Sequence, residues 1–496
     1  ADVVRFGGSS HSGGSSGVGI TTTISAIPIN PAVSTLDHAS LSGPVGAGDG
    51  ATIFVLGTLT GTDPSAALGA TGTGLLAFEG DVLVSGVQVS GGSIVTTGTL
   101  TLDAASSLGA STSALTLAGP ALGAALVSQG SIAFADGLVG QVQSIDVPSM
   151  VNAGALSLGA DDRMRISGST FTNSGDIALA AGATLDIDSF YPVTNSGTIT
   201  LAAGARFTSN GLNNSGLLAI GTGDTFYNSG FYSGTGTIAM AADSTLELQS
   251  VSNAQIALAG GGHTISFNPS VSGLTLDGLG VGDTLSPFGT AMPLTSARYA
   301  AGHLYLYSNG ALAEDIGTDA DLSAATLLIV PAADGGSLTI AATGPLDAGS
   351  LPPLAAAERL IIGTSDFTNA GTLHIADVGA VEFQGTVADA GTIAFDGATG
   401  SLILDHPAGF HASIAAMQVG DTITLAPGTG YTLAYAGDTL EAKQNGTLAA
   451  SFTLDSGHDL TDFTLDRSGL APSIAMVAPA GAGPGDQNFA VSDVSQ

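Results

Sequence analysis

Cysteine and tryptophan are absent from this 496-residue chain, and basic side chains nearly so: seven arginines and Lys443 stand against 41 aspartates and glutamates. Without cysteine there is no disulfide framework and no thiolate chemistry. At a formal net charge of −33 the chain lacks the basic stripe that displaces counterions from nucleic-acid phosphates, so no nucleic-acid partner is expected. Anionic membrane surfaces are disfavoured for the same reason. No apolar run approaches the roughly 18 residues that span a bilayer; the best, Ala324 to Ile329 with its flanks, stops at Pro331. Membrane insertion is therefore not expected. The chain opens at Ala1 with no basic segment leading into an apolar one, so any secretion signal is expected to have been removed or to lie elsewhere.

What is present is apolar and small. Hydrophobic residues make up 44% of the chain, charged residues 10%, and 73 residues are glycine. Disordered chains combine low hydrophobicity with high charge, so global disorder is excluded and a large core can be buried. Length alone suggests about three domains.

The sequence repeats. Asn-Ser/Ala-Gly occurs at Asn152, Asn173, Asn195 and Asn214, and returns at Asn369; the first four are 21, 22 and 19 residues apart. Between these turns lie short alternating segments such as Thr198-Ile199-Thr200-Leu201, whose period of two indicates strands rather than helices. Short strands repeating about every 20 residues fit the coils of a parallel β-helix, each adding about 4.8 Å along the axis. Asn and Gly suit its corners because both tolerate positive φ.

A longer repeat overlies the short one. Val281-Gly282-Asp283-Thr284-Leu285 matches Val419-Gly420-Asp421-Thr422-Ile423, and Asn309-Gly310 matches Asn445-Gly446, at offsets of 138 and 136. Phe171-Thr172-Asn173 matches Phe367-Thr368-Asn369 at 196, longer by 58 or about three short repeats. A unit that lengthens by whole repeats is a solenoid, not a closed barrel. The expected fold is all-β: parallel β-helix (solenoid) segments with β-rich cap or side domains, in a duplicated unit. The expected divisions are a flexible Gly/Ser-rich segment 1–25, a looser β-rich or solenoid region 26–150, a regular solenoid 151–267, a cap or side domain 268–343, a linker 344–358, a second short solenoid 359–404, a second cap 405–477 and a tail 478–496.

The Asn-Ser-Gly-Thr-Ile and Asn-Ala-Gly-Thr-Leu repeats in a lysine-poor, Gly/Ala/Thr-rich setting resemble secreted bacterial β-helix repeat proteins, the passenger regions of autotransporters and filamentous-haemagglutinin-type surface proteins. The likeness covers residues 150–260 and 365–400. It also extends to Ala/Gly-rich extracellular proteins in which such repeats precede a self-processing domain with a cysteine nucleophile, which this chain lacks, and no translocating barrel is visible at its C-terminus. The resemblance implies a secreted, mostly non-enzymatic protein on the bacterial cell surface or in the extracellular matrix.

Catalysis on a β-helix needs converging carboxylates. The nearest candidates are Asp161-Asp162 beside Arg163 and Arg165, and Asp186 with Asp188; adjacent residues in a strand face opposite ways, and a solvated loop or ion pairs with the arginines is the preferred reading. Eight histidines show no metal-ligand spacing, and no Gly-x-Ser-x-Gly elbow is present. Calcium is the one candidate cofactor: Glu314, Asp315, Asp319 and Asp321 place four carboxylates within eight residues, and Ca²⁺ takes several oxygen ligands in flexible geometry. A solvated acidic loop is the plainer reading. Together these features lead us to expect a non-catalytic structural protein whose partner is another copy of itself, in a fibre, sheath or surface layer. The strand-like segment Gly19-Ile20-Thr21-Thr22-Thr23-Ile24 is the candidate for strand donation. The alternatives are a monomeric adhesin binding surface glycans and a polysaccharide-degrading β-helix enzyme.

Overall fold

A computed structural model describes residues 3–6, 23–24, 27–29, 33–70, 74–90, 93–103, 105–110, 116–118, 125–134, 142–268, 273–288, 293–330, 332, 335–343, 354–363, 366–367, 371–387 and 391–478. The described residues form strands and short turns, with no α-helix. The chain is a β-solenoid of about 16 turns. It divides into two compact units: Ala1–Leu279 with Asp315–Asp319, and Gly280–Glu314 with Ala320–Gln496.

In the first unit one coil comprises the strands Arg163–Gly168, Thr170–Asn173 and Asp176–Leu179. The next coil lays Thr184–Ser189, Val193–Asn195 and Thr198–Leu201 on it in parallel register. Thirteen such strands stack in the second sheet, from Ile27–Ile29 to Thr275–Asp277, so coiling continues into the segment 268–343. Alternation decides which residues meet inside. Leu156, Ile177, Ile199, Leu218, Ile238, Ile256 and Leu276 form one in-register column, each at most 1% exposed. Burying one such side chain contributes about 1.5–3 kcal/mol, so each added coil extends the core by a similar increment.

The Asn repeat becomes a ladder inside the coils. Asn152, Asn173, Asn195 and Asn214 are fully buried. The Nδ2 of each of the first three donates to the Oδ1 of the next at 2.7 Å. Asn214 Nδ2 donates to the Tyr232 hydroxyl at 3.4 Å. The remaining amide hydrogens reach carbonyls of the following turn, as in Asn173 to Gly175 (3.0 Å) and Thr198 (3.3 Å). Buried amides satisfied in this way specify register as well as stability.

The glycine of the repeat has a different reason from the one expected. Gly154, Gly175, Gly197 and Gly216 are absent from the positive-φ residues, as are the four asparagines. Instead a Cβ on Gly175 would lie 2.0 Å from the Gly154 carbonyl oxygen, one on Gly197 2.0 Å from that of Gly175, and one on Gly216 2.0 Å from that of Gly197. Close stacking of successive coils, not a left-handed corner, demands glycine here.

In the second unit Arg359–Ile362, Ala380–Phe383, Ser401–Leu404 and Thr422–Leu425 stack in parallel. Beside them run Thr372–Ile375, Thr392–Phe395 and Ser413–Ala415. Antiparallel strands bound this stack: Ala325–Val330 lies against Arg359–Ile362, and Ser473–Met476 against Thr422–Leu425. The core gathers Phe383, Phe395, Phe410 and Phe452 among aliphatic neighbours.

The duplication is visible bond by bond. Gly282 N–H donates to Ile340 O at 2.9 Å, as Gly420 N–H does to Met476 O at 3.0 Å. Both Asn-Gly pairs, Asn309-Gly310 and Asn445-Gly446, have two positive φ angles, which a two-residue hairpin turn requires.

Candidate functional site

The outward side of the second sheet is the most uniform surface of the first unit. Strand alternation sends Leu and Ile inward, leaving two outward columns. One runs in register from Gly46 through Gly69 and Ser90 to Thr200, Ala239 and Ala257, and holds only Gly, Ala, Ser and Thr. The other runs over the same eleven coils from Pro44 to Gln255, with Asp176 as its one charged residue and Leu217 as its one large aliphatic; on the next coil Asp277 follows Ala257 and ends the uncharged strip. Ten coil steps make this strip about 48 Å long, and a four-residue strand makes it roughly 13 Å wide. In a chain of net charge −33, a strip with one carboxylate and no side chain longer than Gln or Leu is flat and electrostatically quiet.

The sequence candidates separate. Asp161 sits exposed in a left-handed turn (φ 58°). Asp162 is buried and accepts from Gly159 N–H at 3.1 Å. Arg165 pairs with Asp188 at 2.8 Å, and Asp186 stands beside Arg165 on the next coil. Hydrogen bonds from Arg165 and Asn210 hold the Asp188 carboxyl below the usual carboxylate range. The candidate carboxylates thus serve a turn and an ion pair.

Of the calcium candidates, Glu314 is buried and Asp315 exposed, on opposite sides of the strand Ala311–Gly317. Asp319 accepts from Gly278 N–H at 2.6 Å, and Asp321 from Ser323 N–H at 3.0 Å. The Asp319 bond has a counterpart in the second copy, where Asp455 accepts from Ala416 N–H at 3.1 Å. Among the described residues no group of three or more His, Asp or Glu is arranged to hold a metal ion. Of the donor-strand candidates, Gly19, Ile20, Thr21 and Thr22 lie outside the described residues, while Thr23 and Ile24 pair in parallel with Ser40 and Leu41. Among the described residues no helix is long and apolar enough to cross a membrane.

No family model, no curated protein and no solved structure matches the chain.

Two sets of residues escaped the sequence reading. The first is a buried corner aspartate three residues after the turn amide it accepts from: Asp283 from Gly280 at 2.8 Å, Asp421 from Gln418 at 2.7 Å. Asp224 belongs to this set and also accepts from Ala205 N–H on the preceding coil at 3.0 Å. Burial pushes the Asp224 and Asp421 carboxyls upward, outweighing those backbone hydrogen bonds. The three-residue spacing was the available signal. The second is an ion pair between Arg359 and Glu382, with side chains only 24% and 11% exposed. Gln384 Nε2 bonds Glu382 Oε1 at 3.0 Å and the Ala297 carbonyl at 3.3 Å. Its partners are 23 residues apart, so only coil register reveals it.

Proposed function

We propose that this chain is a non-catalytic, secreted structural protein that packs side by side with copies of itself into an extracellular assembly, through the outward face of the second sheet. The observation that carries the reading is that face: small residues in register over eleven coils, with charge confined to Asp176. Two such strips face to face avoid the carboxylate repulsion that the rest of this acidic surface would impose. Each copy would bury roughly 600 Å² by the strip's dimensions, below the roughly 800 Å² per partner of a standard stable interface. A single contact is therefore weak and reversible, and an array strengthens it through multiplicity. The resemblance to autotransporter passengers and filamentous-haemagglutinin-type proteins supports the extracellular bacterial setting.

The test is a double substitution, Thr200→Glu and Ala239→Glu, on the outward side of two turns that flank the turn of Ala219. Sedimentation and negative-stain images should show assemblies of the parent chain and single particles of the variant, with the unfolding midpoint unchanged. Assemblies of equal size in both proteins would refute this interface.

A further inference from the structure

A second surface of the first unit has the opposite character. Among the side chains whose burial is described, three phenylalanine and tyrosine residues are exposed: Phe190 at 83%, Tyr191 at 56% and Phe231 at 47%. All three lie at one edge. Phe190 and Tyr191 meet edge to face, with centroids 5.1 Å apart. Phe231 is paired with Gly211, and the other side of Gly211 abuts Pro192, whose Cβ would be 3.3 Å from a Cβ placed there. The Phe190–Tyr191 pair and Phe231 are thus two coils apart, about 9.5 Å along the axis.

Beside the rings runs a fixed polar chain. Arg165 bonds Asp188 at 2.8 Å, Asn210 Nδ2 donates to Asp188 at 2.7 Å, and Ser229 Oγ donates to Asn210 Oδ1 at 3.1 Å. These four side chains come from four successive coils and all remain exposed or partly so. Exposed aromatic rings cost solvation without a partner. Rings flanked by ordered hydrogen-bonding groups suit a ligand with apolar faces and hydroxylated edges. Pyranose rings have that character, and an extended β-linked chain repeats its disaccharide at close to the two-coil spacing. The charged Asp188 and Arg165 beside the rings argue against a lipid or a purely apolar protein surface, because burying them beneath hydrocarbon is costly.

We propose that this edge binds an extended polysaccharide lying along the solenoid axis, with sugar rings stacked on the Phe190–Tyr191 pair and on Phe231. Asp188 and Asn210 accept and donate hydrogen bonds to the hydroxyls between them. The site is separate from the small-residue face, and its occupation does not depend on assembly.

The intact chain is tested by affinity electrophoresis and calorimetry against soluble β-glucan, a chitin oligosaccharide and polygalacturonate, with phosphatidylcholine vesicles as a comparison. At least one polysaccharide should bind, and the double variant Phe190→Ala/Tyr191→Ala and the single variant Phe231→Ala should each weaken it roughly fivefold to tenfold. Asp188→Asn should weaken it as well. No binding to any of the three polysaccharides, or equal binding by parent and aromatic variants, would overturn the proposal. So would vesicle binding that the aromatic variants abolish, or loss of assembly in those variants with no polysaccharide bound. Normal assembly with lost polysaccharide binding separates this site from the packing face.

Discussion

Replacing Ser128 by Asn should lengthen the asparagine ladder by one rung and stabilise the first unit. Asn152 Oδ1, at the open end, is buried and has no hydrogen-bond partner. Ser128 is opposite Asn152 on the preceding coil, fully buried, and its hydroxyl points to Gly130 O at 3.3 Å. Asn173 makes the equivalent bond to Gly175 O at 3.0 Å, so an Asn at 128 can keep the local contact while donating to Asn152. The same column already holds a larger side chain one coil earlier, Leu102. Leaving a buried acceptor unsatisfied costs about 1–3 kcal/mol, and freezing the new side chain returns up to about 1 kcal/mol of that gain. The expected net effect is a stabilisation of about 1 kcal/mol. Urea unfolding would read it globally, and slower amide exchange in the strands Ala125–Ser128 and Ser149–Asn152 would read it locally. The same substitution in an Asn152→Ala background should gain nothing, because its acceptor is gone. A stabilisation that survives in that background, or a loss of stability in the parent, would refute the ladder account.

Other expectations follow from the same geometry. Gly197→Ala places a methyl 2.0 Å from the Gly175 carbonyl, and should cost about 3 kcal/mol in urea unfolding by prying two coils apart; a cost under about 0.5 kcal/mol would mean the coils yield freely. Glu382→Ala strands the largely buried Arg359 guanidinium, with an expected loss of about 3–5 kcal/mol confined to the second unit's unfolding transition. Acidification should stabilise the protein between neutral pH and about pH 4. The Asp224 and Asp421 carboxyls are raised by burial above their unfolded value of 3.8. The native state therefore takes up protons first, and the cost of their buried charge disappears as pH falls through the folded pKa. Below 3.8 the trend reverses, because carboxyls lowered by hydrogen bonds, Asp188 among them, lose their contribution. Melting temperatures from pH 7 to 3 would show the maximum, and Asp224→Asn should flatten the rise; equal slopes for parent and variant would rule out Asp224 as its source.

Much of the architecture was legible because the repeat itself carries it. Asn152, Asn173, Asn195 and Asn214 recur at the length of one turn, and the strand pairs place each opposite the next. The Asn309-Gly310 and Asn445-Gly446 hairpins were equally plain from their dipeptides. What the linear pattern hid was anything set by neighbouring coils. Glycine in the repeat reads as a corner residue until the carbonyl of the preceding coil is seen at contact distance. Arg359 and Glu382 are 23 residues apart and meet only because one turn brings them together. Asp319 stood in the sequence as one of four clustered acids, and its bond to the Gly278 amide, 41 residues away, shows only once the chain is wound. The quiet face and the aromatic edge need every coil's register before their columns can be drawn.

The glycine-to-carbonyl contacts also set the pitch of the winding, since nothing bulky intervenes at that corner. Each further coil lengthens the stack by about 4.8 Å while leaving the lateral surfaces unchanged in character. Reach and surface chemistry are thereby independent: duplication of a single turn extends the one without redesigning the other.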